Sequence, residues 1–264
     1  MDRREAVLRE LNLYPIWVRR NRPAQIAATA TVGAIHESPE QSGTQANVGA
    51  IDEPTSHVGA IHESPKQSVA LTTERAIHEL PLQWAELKQK VRDCTACKLR
   101  AGCTQTVFGV GDESADWLFV GEGPGADEDA KGEPFVGQAG KLLDNMLLAI
   151  KLKRGENVYI ANVVKCRPPN NRNPEADEVA TCLPYLNRQI ELIKPRLIVA
   201  LGKTASTALL GNDAPLGSLR GKLHDFGGIP LVVTYHPAYL LRTPSEKAKA
   251  WQDLCFATDA MQKL

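Results

Sequence analysis

Trp117-Leu118-Phe119-Val120-Gly121-Glu122-Gly123-Pro124-Gly125 starts as an unbroken apolar run and ends in a glycine–proline loop. A β-prone run with no polar alternation describes a strand buried on both faces, as in a parallel sheet covered by helices above and below. Three further runs have the same character: Val158-Tyr159-Ile160-Ala161, Leu197-Ile198-Val199-Ala200-Leu201 and Leu231-Val232-Val233-Thr234-Tyr235. Helical patterns separate them. Gly140 to Leu152 carries Leu142, Leu143, Met146, Leu147 and Ile150 at helical spacing. Pro174 to Ile193 follows Asn173, a suitable N-cap with proline at the first helical position. Thr204 to Leu210 is shorter, and Glu246 to Leu264 closes the chain with Trp251, Leu254 and Cys255 on one face. This alternation predicts an α/β fold, a three-layer α/β/α sandwich on a central four-stranded, mainly parallel sheet.

Ligands of such sheets bind beyond the carboxyl ends of the strands. The residues after each run therefore matter most: Glu122 and the Gly123 loop, Asn162 with Lys165-Cys166-Arg167, Gly202-Lys203-Thr204, and His236-Pro237-Ala238-Tyr239. A carboxylate, an amide, cations and an imidazole would converge on one rim. Two familiar motifs fail. Gly202-Lys203-Thr204 lacks the glycine five residues earlier that a phosphate loop needs, because Leu197 stands there. Gly121-x-Gly123-x-Gly125 has the wrong spacing for a dinucleotide fingerprint. It suits close approach of backbone to a ligand instead.

Cys94-x-x-Cys97 precedes the first strand, Cys166 follows the second, and Cys182 lies in the next helix. These two distant pairs can supply four thiolates to one centre, and both zinc and a [4Fe–4S] cluster accept such a set. Spacing alone does not choose between them. Cys103 competes for one position, and Cys255 reads as core packing.

The chain has 264 residues with 31 basic and 31 acidic side chains, so a global basic excess of the nucleic-acid-binding kind is absent. No apolar run reaches membrane-span length and the N-terminus lacks a secretory pattern, so a cytoplasmic, reducing setting is expected. In that setting six cysteines point to metal or redox chemistry rather than disulfides. Residues 1–22 read as a short helix with an aromatic-basic tip, a candidate partner-binding motif. Residues 23–83 contain the repeat Val32-Gly33-Ala34-Ile35-His36-Glu37-Ser38-Pro39, which recurs from Val58 to Pro65. Such short polar units cannot build a core, so a disordered linker is expected there. The folded domain is placed at 84–264.

Taken together, these residues resemble the family-4 uracil-DNA glycosylases, the iron–sulfur type of bacteria and archaea. The resemblance spans Trp84 to Leu264 and rests on several separate places. They are Gly121 to Asp129, Gly132-Glu133-Pro134-Phe135-Val136-Gly137, Asn162 to Pro169 with Asn171-Arg172, and Tyr235 to Arg242. It implies a base-excision repair enzyme that hydrolyses the N-glycosidic bond of deoxyuridine in single- or double-stranded DNA. It implies that Cys94, Cys97, Cys166 and Cys182 hold a [4Fe–4S] cluster, mainly structural. His236 would donate to the uracil carbonyl oxygen as charge develops. Phe135 would stack on the flipped base, and Asn162 would read the uracil edge. Glu128 would block the thymine methyl. Gly123 stands where other uracil-glycosylase families carry a water-activating residue, which leaves Glu122 and Asn171 as candidates for that task. Leu240 would wedge into the duplex and Arg242 would contact phosphate.

Lys165, Arg167, Arg172, Lys203, Arg220, Lys222 and Arg242 form a candidate groove for sequence-independent DNA binding. A non-catalytic iron–sulfur nucleic-acid binding module on the same fold is the alternative. A monomer is expected. The run from Leu8 to Leu13 through Trp17, Arg19 and Arg20 is similar to the N-terminal peptide of the psi subunit of bacterial DNA polymerase III. That similarity implies a replication or repair protein as partner of residues 1–22.

Overall fold

Alternate residues of each central strand pack against opposite helical layers, as a two-residue period requires. Leu118, Val120, Tyr159, Ala161, Ile198, Ala200, Leu231 and Val233 join one buried cluster. Trp117, Phe119, Val158, Ile160, Leu197, Val199 and Val232 join the other. The computed structural model describes residues 82–264. The expectations for residues 1–22 and for nearly all of 23–83 fall outside the described residues.

In chain order the elements are α1 (Trp84–Arg92), a 3-10 turn (Lys98–Gly102), β1 (Val110–Gly111), β2 (Trp117–Gly121), α2 (Ala126–Lys131), α3 (Gln138–Ala149) and β3 (Val158–Asn162). After a 3-10 turn at Pro169–Asn171 come α4 (Ala176–Ile193), β4 (Leu197–Leu201), α5 (Lys203–Leu210), α6 (Leu216–Leu219), β5 (Leu223–Phe226) and β6 (Ile229–Thr234). The chain then forms α7 (Pro237–Arg242), a 3-10 turn at Pro244–Glu246 and α8 (Lys247–Met261). Cys182, Leu186, Ile190 and Ile193 of α4 and Ala205 and Leu209 of α5 cover one face of the sheet. Leu143 and Leu147 of α3 and Leu254 and Ala257 of α8 cover the other. The three-layer α/β/α sandwich is the architecture that the apolar runs predict.

The sheet has six strands in the order β1-β3-β2-β4-β6-β5, not four. The four apolar runs are its parallel centre, β3-β2-β4-β6. The two added strands are antiparallel edges. β1 is two residues long. β5 alternates exposed and half-buried residues. Neither carries the apolar run that marks a central strand.

Helix α4 starts two residues later than the Asn173-Pro174 signal suggests. A residue before proline is biased to extended backbone. Glu178 then closes the helix end, accepting the Glu175 backbone N–H at 2.7 Å. Arg172 grips the same carboxylate with two N–H groups at 2.6 and 2.8 Å. The guanidinium holds this carboxyl down to about 2, against the burial that opposes ionisation.

Candidate active site at the strand ends

The parallel register sets the rim. Gly121 lies opposite Asn162, and Leu201 lies opposite Thr234. The residues that follow these positions share one end of the sheet and line a cleft of about 360 Å3. Glu122, Gly123, Glu128, Phe135, Asn162, Asn171, His236 and Arg242 all line it. Leu240 is the one non-metal site candidate that the structure does not bring there. Its side chain is 1 % exposed on the inner face of α7, so it cannot enter a duplex. Its neighbours Leu241 and Tyr239, 43 % and 37 % exposed, face outward instead.

Asn162 ends β3 and is 2 % exposed. Its side-chain Oδ1 has no hydrogen-bond partner. A buried polar atom left unpaired costs free energy, so this one calls for a ligand that donates to it. Gly121 makes room beside it. A Cβ there would stand 2.5 Å from Asn162 Oδ1 and 2.5 Å from the Phe135 ring. Any side chain at this position would displace the floor of the cleft.

His236 is the N-cap of α7. Its Nδ1 accepts the Ala238 backbone N–H at 3.2 Å. The neutral ring therefore carries its proton on Nε2, which is available as a donor. Burial pushes the imidazole down to about 4, Arg242 pushes in the same direction, and Glu128 pulls weakly the other way. Phe135 stacks on this ring with 5.4 Å between centroids and 30° between planes. Phe135 itself adopts φ 56, a left-handed conformation costly for a bulky residue.

Both carboxylates of the cleft are tied. Thr204 Oγ1 donates to Glu122 Oε2 across to the start of α5. Glu128 accepts the Val136 and Gly137 N–H groups with Oε1, both at 2.9 Å, and the Gly125 N–H with Oε2 at 3.1 Å. It thereby closes α2 and holds the Phe135 loop. Arg167 Nε donates to Asn171 Oδ1 at 2.7 Å, which fixes that amide.

The basic groove contracts. Lys165 is 1 % exposed, and its Nζ donates to Asn162 O at 2.9 Å and Gln189 Oε1 at 2.6 Å. Burial lowers its ammonium to about 8. Arg172 is committed to Glu178. Arg220 forks onto Asp253 at 2.7 and 3.0 Å. Lys165 is thereby withdrawn from the surface and Arg220 is tied to a buried acid, whereas Arg172, though paired, still lines the cleft. Lys203 pairs with the exposed Asp213 at 2.7 Å, a contact that solvent screens.

Cys94, Cys97, Cys166 and Cys182 line one recess, together with Val91, Leu99 and Tyr185. All six cysteines of the chain are free thiols. Among the described residues no three Cys, His, Asp or Glu side chains form a group close enough to hold a metal ion. The four sulfurs thus share a recess without being drawn into one ligating cluster. Cys103, the competing thiol, lies beside Cys166 as well as against Arg100, with its Sγ 3.7 Å from the Arg100 carbonyl oxygen. Among the described residues no helix is long and apolar enough to cross a membrane.

Thr204, which follows the third apolar run, meets Glu122 from 82 residues away, while Arg154 carries no sequence signal and supports the Phe135 loop from behind the cleft. Only the folded arrangement of distant strands and loops reveals the partners of either.

The model of the Uracil DNA glycosylase superfamily matches residues 108–255. The chain is 46 % identical over 165 residues to a protein of Thermotoga maritima named type-4 uracil-DNA glycosylase, covering 62 % of this chain and 85 % of that one. It is 44 % identical over 167 residues to the type-4 uracil-DNA glycosylase of Archaeoglobus fulgidus, covering 60 % and 83 %. It is also 44 % identical over 177 residues to that of Pyrobaculum aerophilum, covering 64 % and 90 %.

Proposed function

Because this chain belongs to the type-4 uracil-DNA glycosylases of the Uracil DNA glycosylase superfamily, we propose that its strand-end cleft hydrolyses the N-glycosidic bond of deoxyuridine in DNA. The products are free uracil and an abasic site, the opening step of base-excision repair. The observation that carries this reading is the orphaned Oδ1 of Asn162 in the cleft that also holds His236. Uracil presents an imide N–H between two carbonyl oxygens. The Asn162 Oδ1 accepts that N–H and its amide nitrogen donates to a neighbouring carbonyl. Cytosine offers an unprotonated ring nitrogen at the same place and leaves Oδ1 unpaired, which disfavours it.

The base leaves the stack to reach the cleft. Phe135 packs on its face. As the bond from C1′ to N1 breaks, the electron pair stays on the base, which becomes an anion. His236 donates its Nε2–H to the carbonyl oxygen where that charge collects. A neutral imidazole with a lowered pKa gives up no proton in doing so, and it leaves Nδ1 bound to Ala238. Water then adds its oxygen to C1′, and the proton it loses passes through solvent to N1 of the uracil anion, giving neutral uracil. Glu122, braced by Thr204, and Asn171, fixed by Arg167, orient that water. Glu128 is held by three backbone N–H groups and borders the same cleft, a rigid obstacle to a bulkier base such as thymine. Arg242 on the rim contacts phosphate.

Cys94, Cys97, Cys166 and Cys182 would hold a [4Fe–4S] cluster. The donor set fits that group. Four thiols line one recess, and the Lys165 backbone N–H donates to Cys182 Sγ at 3.2 Å, as amides do to cluster sulfurs. The buried Lys165 ammonium has only the neutral acceptors Asn162 O and Gln189 Oε1, so its charge is available to offset that of thiolates nearby. The cluster would supply cross-linking of the segment before β1 to the β3–α4 region, not a reaction step.

The test is release of uracil from single-stranded and duplex oligonucleotides bearing one deoxyuridine, followed by alkaline cleavage at the abasic site. Matched thymine and cytosine strands should stay intact. Asn162→Ala should slow release by about 100-fold. Intact uracil strands after incubation with folded protein would overturn the assignment.

A further inference from the structure

We propose that Arg154 is a positioning residue of this active site, whose guanidinium fork fixes the left-handed backbone of Phe135 and so holds the aromatic wall of the base pocket against His236. The inference rests on the reading of the cleft as a base pocket. Arg154 does not line that cleft. It projects from the tight turn Lys153 to Glu156, where Gly155 takes φ 80 and the Glu156 N–H closes on Lys153 O at 3.1 Å. Its Nη1 donates to Pro134 O at 2.9 Å and its Nη2 to Phe135 O at 2.7 Å. Nε donates to Asp144 Oδ1 on α3 at 2.9 Å, which aims the fork.

The two carbonyls flank a residue that resists its own conformation. A phenylalanine at φ 56 persists only when its surroundings over-determine it. Here the peptide groups on either side of it are pinned by opposite charges. The Arg154 cation holds the carbonyls of residues 134 and 135, and the Glu128 anion holds the N–H groups of residues 136 and 137. α3 closes the third side. A Cβ at Gly140 would stand 1.7 Å from the Phe135 carbonyl oxygen, so helix backbone packs directly on the loop. The ring is thereby driven over Gly121 and onto His236.

Lysine cannot reproduce this geometry. One ammonium is a point charge on a flexible stem, whereas two carbonyls and a carboxylate are met together by a planar fork. Loss of the fork would let the loop relax and the ring swing from the imidazole. His236 would then gain water. The charged groups facing it are Arg242 on its own helix and Glu128 from α2, with Glu122 across the cleft, and these stay in place. The lost burial is what changes.

The experiment compares Arg154→Lys and Arg154→Met with the intact chain. Single-turnover uracil release should fall about ten- to hundred-fold in both, the scale of a small misplacement of a positioned group. The His236 Cε1–H resonance, assigned by its disappearance in His236→Asn, should titrate at a midpoint raised from about 4 toward 6.5. Amide exchange at Val136 and Gly137 should quicken, which serves where acid unfolding precedes the titration. Wild-type rates in Arg154→Lys would overturn the fork. A lowered melting temperature with unmoved titration and exchange would make Arg154 an ordinary structural residue and overturn the proposal. Intact chain that releases no uracil would instead sink the activity reading, while titration and exchange still decide whether Arg154 positions Phe135.

Discussion

His236 acts as a neutral donor because three features agree on it. Burial under Phe135 and the nearby Arg242 disfavour the imidazolium. The Ala238 N–H points at Nδ1, so a second proton there would set two donors against each other and break the α7 cap. Uracil release should therefore stay level from pH 8 to about 5 and fall only as the pH nears 4. A limb centred near 6.5 in a pH–rate profile would contradict the neutral-donor role. Stability follows the same sign. The folded value lies below the unfolded one, so the contribution is full above about 6.5 and is lost as pH falls toward 4. His236→Asn should flatten that part of the melting-temperature profile. The residues that sequence makes legible here, Glu122, Asn162 and His236, each follow an apolar run directly. Leu240 misleads because the choice between adjacent leucines depends on the rotation of a six-residue helix, which no pattern of that length fixes. Arg154 is invisible because its partners lie 19 and 20 residues back and are carbonyls, which any sequence would supply.

Among the elements, β6 and α8 are joined beneath the active site by a buried polar knot. Asp253 of α8 is 2 % exposed and accepts two bonds from Arg220 and one from Thr234 Oγ1 at 2.7 Å. Arg220 also lies over the Tyr235 ring at 4.4 Å, and Tyr235 stacks on Tyr239. Burial raises the Asp253 carboxyl more than Arg220 and Thr234 lower it, so the pair sits in a poorly solvated place. Asp253→Ala should cost about 3–5 kcal/mol, because it strands a guanidinium and a hydroxyl. Urea unfolding measures this, and a loss under about 1 kcal/mol would show the knot to be dispensable. The strands β2, β3, β4 and β6 are legible because burial on both faces demands unbroken apolar runs. β1 and β5 are not, since an edge strand needs neither length nor hydrophobicity once a neighbour offers its open ladder. The start of α4 escapes for a related reason. The cap that wins, Glu178, is inside the helix and reaches back to Glu175, while the more conspicuous Asn173-Pro174 lies outside.

At the scale of the molecule, and among the described residues, both buried clusters, the cleft and the cysteine recess are assembled from residues between Trp84 and Met261. The family match lies inside that span, at 108–255. Relatives that share 46 % and 44 % identity match only 62 % and 60 % of this chain while themselves covered over 85 % and 83 %. The span those relatives match thus accounts for about three fifths of the chain. The segment Cys94 to Cys97 meets Cys166 and Cys182 in the recess, where the exposed Lys98 also pairs with Glu175 of the turn before α4. Purified protein should contain iron whose removal lowers the melting temperature, and Cys255→Ala, whose thiol lies outside the recess, should retain iron and show the same loss when it is removed. A chain of residues 82–264 should fold, retain iron and release uracil at a rate comparable to the full chain, measured on the same oligonucleotides. Preserved folding with a large loss of rate would mean that residues 1–81 enter the chemistry, and that the cleft as drawn by Asn162, His236 and Phe135 is incomplete.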